Sequence, residues 1–102
     1  KFMEYGLKDT ELQEIRRLLA SSGNVDSAIL FGSRAKGCHK PFSDVDITLT
    51  GESLTRTDLI RLADAFEGSL LPYVFDLSIF SRLTDEAVKD HIRRVGIVIY
   101  ER

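Results

Sequence analysis

Two stretches of this chain alternate apolar and polar residues, and they constrain its fold more than any other feature. In 44–50, Val45, Ile47 and Leu49 point one way and Asp44, Asp46 and Thr48 the other. In 73–80, Phe75, Leu77 and Ile79 share one face and Asp76 and Ser78 the opposite one. Period two means β-strands with one buried face. If both strands lie in one sheet, their apolar faces must meet helices. Asp44, Asp46 and Asp76 then gather on the other face. Three carboxylates on one sheet face repel each other unless a cation sits among them.

The helices are legible too. Thr10-Glu-Leu-Gln13 fits a capping box, followed by Leu12, Ile15 and Leu19 at helical spacing and stopped by Gly23. Thr57 or Asp58 caps a second helix with Leu59, Leu62, Ala63 and Phe66 on its stripe, closing near Gly68. Thr84-Asp-Glu86 opens a third, with Val88, Ile92 and Val95 as its stripe. Ala28 to Phe31 is an uninterrupted apolar run, expected to be a strand buried on both faces, and Ile97 to Tyr100 a short last strand, at an edge or inside. Between them Ser33 to Gly37 reads as one helical turn, Ser33 as its N-cap and Gly37 as its terminator. The predicted fold is α/β (α+β): a small mixed sheet with helices mainly on one face. At 102 residues without linker, repeat or low-complexity tract, 1–102 reads as a single domain.

Bulk properties narrow the function. The net charge of −2, from 14 basic and 16 acidic residues, lacks the basic excess of a nucleic-acid binder. One cysteine, Cys38, excludes an internal disulfide and fits a reducing compartment, so a cytoplasmic location is expected. No apolar run approaches the roughly 20 residues of a membrane helix. The chain begins at Lys1 and not at Met, so a missing targeting signal carries no weight.

The chemistry lies in the order of the pieces. Gly32-Ser33 closes the buried strand, and after a gap of ten residues come Asp44 and Asp46. Glycine lets a triphosphate approach the backbone, and amides at a helix start suit an anion. Arg34, Lys36 and Lys40 surround the turn with positive charge. Mg²⁺ takes one or two carboxylates plus substrate phosphates and water, and Asp residues at i and i+2 of a strand reach to the same side. With Asp76 from a neighbouring strand, two ions can be held for an in-line displacement. The Walker A pattern is absent after Gly32, which argues against a P-loop. Cys38 and His39 lack the spacing of a zinc site. His91 is expected on the polar side of the last helix, in solvent, and Arg93-Arg94 to complement that helix's dipole.

Gly32-Ser33, Asp44-Val-Asp46 and Asp76 resemble, in order and spacing, the signature of the DNA polymerase β-like nucleotidyltransferase superfamily. The stretches Phe31-Gly-Ser-Arg-Ala-Lys-Gly37 and Ser43-Asp-Val-Asp-Ile47 are similar to those of its minimal, MntA-like members, and the likeness spans nearly the whole chain. The resemblance implies the nucleotidyltransferase fold, with Asp44, Asp46 and Asp76 as catalytic and metal-binding residues. Gly32 and Ser33 would hold the triphosphate, with Arg34 and Lys36 touching phosphates. It implies Mg²⁺, two ions, and ATP as substrate. It also implies transfer of AMP to a tyrosine of a small all-helical HEPN toxin, with this chain as antitoxin. Two alternatives stand beside it. One is neutralisation of the partner by contact alone; the other is transfer to a small, aminoglycoside-like molecule with a second subunit holding the acceptor. Self-association and assembly with a partner are both left open.

Overall fold

The structure is a computed structural model and describes residues 3–102. A hairpin comes first: β1 (Met3–Glu4) and β2 (Leu7–Lys8) pair antiparallel through Tyr5 and Gly6. Both linking residues have positive φ, 59° and 76°, as a two-residue turn of the type I′ class requires. The hairpin is not legible in the sequence, since Tyr5 is a poor turn signal. Its purpose in the fold is Leu7, which is fully buried.

Helix α1 (Asp9–Ala20) follows directly. It starts earlier than the capping box at Thr10 predicted: the Lys8 N–H donates to Glu11 Oε1 at 2.9 Å, and Lys8 is the cap. Then come β3 (Ser27–Phe31), the short α2 (Gly32–Lys36) and β4 (Val45–Thr50). Helix α3 (Arg56–Glu67) is capped by Thr55, not by Thr57 or Asp58. Asp58 instead closes the capping box, taking the Thr55 N–H at 2.9 Å. β5 (Phe75–Ile79), a single 3-10 turn, α4 (Glu86–Val95) and β6 (Ile97–Glu101) complete the order.

Four strands form a mixed sheet in the order β5-β4-β3-β6. β3 runs antiparallel to β4 and β6, while β4 and β5 are parallel, joined by α3 as a βαβ crossover. β6 is therefore an edge strand. Ala28, Leu30, Val45, Ile47 and Leu49 form the inner face, and α1 and α3 cover it with Leu12, Ile15, Leu19, Leu62 and Phe66. Ala63, predicted for that stripe, is exposed.

β3 is not equally buried on both faces. Ala28 and Leu30 are sealed, while Ile29 and Phe31 are only half-buried. α4 lies over this second side, close enough that a Cβ on Gly96 would come within 2.7 Å of Ile29 Cγ2. So two long helices share one face, and the third takes part of the other.

Candidate active site

The parallel pairing of β4 with β5 brings the carboxylates together. Both strands begin at the same end of the sheet, and Asp46 and Asp76 are direct register partners. Neighbouring strands lie about 4.8 Å apart, so the two side chains leave one face side by side. Asp44 sits one residue ahead of β4, exposed, and its place at i−2 from Asp46 keeps it on that face. Deeper along the same face, Ser78 Oγ donates to Thr48 Oγ1 at 3.0 Å.

Electrostatics here are those of an uncompensated site. Asp46 is half-buried and holds its proton above the usual carboxylate range. Burial is the main cause, and the charges of Asp76 and Asp44 add to it. Among the described residues no three His, Cys, Asp or Glu side chains are closed around a ready-made metal position. The donor set nonetheless fits a hard divalent cation: oxygen ligands only, converging on one face, whose mutual repulsion such an ion would relieve.

The Gly32-Ser33 turn leans directly on this group. Phe31, which ends β3, is the register partner of Asp46. Gly32 then turns with φ of +76°, and a Cβ there would lie 2.2 Å from Asp46 Oδ2. Only glycine fits. Helix α2 starts at Gly32 with Phe31 as its cap, two residues earlier than a Ser33 cap would give. Gly37 ends it in the left-handed conformation as expected, with φ of +80°. Ser33 is half-buried, and Lys36 and Lys40 are exposed.

Two residues lie where the sequence did not place them. Arg34 is 1% exposed. Its guanidinium donates to the carbonyls of Tyr5 at 2.8 Å, Ser43 at 2.9 Å and Pro41 at 3.3 Å, and its carbon stands 4.9 Å from the Tyr73 ring centre. Those donors are spent inside the fold. The phosphate contact expected of Arg34 gives way to a strut that joins α2, the hairpin and the loop leading to Asp44. His91 is the opposite case. It is half-buried, and its Nε2 accepts the Gly32 N–H at 3.0 Å, with its ring edge-on to Phe31. The signal for this was spacing: His91 lies three residues after Val88 and four before Val95, on the stripe that meets the sheet.

A carboxylate pair, a third carboxylate beside it and a glycine-serine turn in contact with one of them form one compact group on the outer face. The family profile described as Polymerase beta, Nucleotidyltransferase matches residues 13–102. The chain belongs to that family. This nucleotidyltransferase is 33% identical over 102 residues, 99% of its length and 89% of the relative's, to a protein of Haemophilus influenzae named probable protein adenylyltransferase MntA. Among solved structures it is similar to a toxin-antitoxin crystallised with AMP-PNP: TM-score 0.72, 20% identity, covering 89% of this chain and 73% of that one. Another is a tri-AMPylated Shewanella oneidensis HEPN toxin in complex with MNT antitoxin, where the TM-score is 0.66 at 18% identity, over 89% and 70% of the two chains. At such identities these structures establish the nucleotidyltransferase fold. No helix among the described residues is long and apolar enough to cross a membrane.

Proposed function

We propose that the nucleotidyltransferase moves AMP from ATP to a hydroxyl of a partner protein, a tyrosine of a small helical HEPN toxin, and so acts as its antitoxin in the cytoplasm. The observation that carries this is the contact of Gly32 with Asp46, because it sets the phosphate turn against the Asp46–Asp76 pair. The similarity to an adenylyltransferase at 33% identity supports AMP as the group transferred. The AMP-PNP and AMPylated-toxin complexes of more distant relatives support ATP and a HEPN partner.

In this reading Gly32 and Ser33 seat the triphosphate, with Lys36 adding positive charge at its outer side. Asp44, Asp46 and Asp76 would hold Mg²⁺, two ions, and that metal supplies neutralisation of the charge developing on the phosphate oxygens. The acceptor oxygen attacks the α-phosphorus in line. Its bond to phosphorus forms as the bridging oxygen to the β-phosphate leaves with pyrophosphate. Asp76, exposed at the outer edge of the group, faces the incoming hydroxyl and takes its proton. Exposed apolar residues support a protein acceptor over a small molecule: Phe42 and Val74, 73% and 66% accessible, each stand two residues ahead of a carboxylate.

The test separates catalysis from contact. An Asp44→Asn, Asp46→Asn double variant should still bind the toxin yet leave it active in cells. If that variant protects cells as well as the wild type, neutralisation is by contact and the transfer reading fails.

A further inference from the structure

His91 belongs to α4, which supplies none of the carboxylates and none of the turn. Its place is nevertheless tightly set. Ile92 beside it is buried, Asp85 caps the helix start with its carboxylate on the amides of Ala87 and Val88, and Gly96 presses the helix end onto Ile29. From that platform the imidazole reaches the phosphate turn, accepting the Gly32 N–H at 3.0 Å while Phe31 packs against its ring. An acceptor at Nε2 requires the neutral ring with its proton on Nδ1.

We infer that His91 is a positioning residue for nucleotide binding, acting through the Gly32 amide; this rests on the reading of Gly32-Ser33 as the triphosphate turn. Gly32 has two constraints. Its Cα must stay against Asp46, and its N–H must point somewhere within a partly buried site. A turn residue at φ of +76° has little else to hold it, because glycine is the least restrained of residues. With the amide tied to His91, rotation of the peptide between Phe31 and Gly32 is blocked. The Gly32 amide is thereby committed within the protein, and Ser33 with the amides after it is left to meet the phosphates. The ordering cost is met in the free protein instead of on binding.

The test compares His91→Leu, which cannot accept, with His91→Gln, whose Oε1 stands near the place of Nε2. Exchange of the Gly32 amide is followed by NMR in the free protein. Affinity for a non-hydrolysable ATP analogue with Mg²⁺ is measured by calorimetry, and KM and kcat are taken from transfer assays. The Leu variant should exchange Gly32 faster and bind the analogue roughly three- to tenfold more weakly, the worth of one neutral hydrogen bond. KM for nucleotide should rise with it and kcat stay near wild type, while the Gln variant recovers both exchange and affinity. Unchanged Gly32 exchange in the Leu variant overturns the inference, as does faster exchange with unchanged affinity, or a Gln variant no better than Leu. A wild type that binds no nucleotide overturns it together with the parent reading. A wild type that binds but transfers nothing faults only the transfer step, and the binding comparison still decides the role of His91.

Discussion

Gly32 and Asp46 are one unit at the scale of single residues. Gly32→Ala forces an L-residue to φ of +76° and sets its methyl 2.2 Å from Asp46 Oδ2. The left-handed conformation alone costs about 1–2 kcal/mol. We expect thermal unfolding to show at least that loss, and calorimetry to show weakened nucleotide binding. Asp46→Asn behaves differently. Because the folded state raises the affinity of Asp46 for its proton, the ionised side chain weakens the fold above its folded pKa, and that penalty fades as pH falls. Asp46→Asn should therefore hold or raise the melting temperature at neutral pH while transfer falls to background. By the same sign, Mg²⁺ must displace that proton, so at subsaturating Mg²⁺ wild-type transfer should decline on the acid side at a higher pH than an ordinary aspartate would dictate. Added Mg²⁺ should move the decline to lower pH, which pH–rate profiles check. A melting temperature well below wild type would contradict the electrostatic account. The three aspartates could be read from the sequence because strand alternation fixes which face a side chain takes. Arg34 could not, because a basic residue beside a phosphate turn looks the same whether its guanidinium faces outward or inward.

Among the elements, α2 is the least able to stand alone, being five residues long. Arg34 supports it by linking it to the carbonyls of Tyr5, Pro41 and Ser43. Arg34→Met keeps much of the bulk and removes the donors, at roughly 1–3 kcal/mol for each carbonyl left unsatisfied. The expected result is a clear drop in melting temperature, with faster proteolysis in the loop of 38–43. A variant as stable as the wild type would return Arg34 to the phosphate side. Helix positions were legible from the 3.6-residue period and the closing glycines Gly37 and Gly68 from their type, but the N-caps of α1, α2 and α3 were not. At α3, Thr55, Thr57 and Asp58 are all plausible caps by type, and the choice falls to Thr55 because Asp58 can then close the box. At α1 the preceding hairpin sets the start. The apolar stripe of α4 is legible in the sequence, but His91, which travels with it on the inward face, is polar and so does not show in that stripe.

The molecule as a whole is a sheet with two differently used faces. The inner face, sealed by α1 and α3, supplies stability; the outer face carries the carboxylates, with α4 over its β3 side. Leu30→Ala, at a fully buried position in β3, should cost about 2–5 kcal/mol by denaturant unfolding. Molecules that remain folded should transfer normally, because the loss is on the other face. The sheet's parallel pair could not be read from either strand alone, yet it decides the site: it alone puts Asp46 opposite Asp76. In the proposed function this face moves the α-phosphoryl group of ATP to a partner protein. Purified protein, Mg²⁺ and the HEPN partner would be incubated with ATP labelled at the α- or the γ-phosphorus, and the Asp44→Asn, Asp46→Asn variant run alongside. Label should reach the partner from the α-position only and be absent with the variant. Label from the γ-position, or α-label that survives in the variant, would contradict the proposed function.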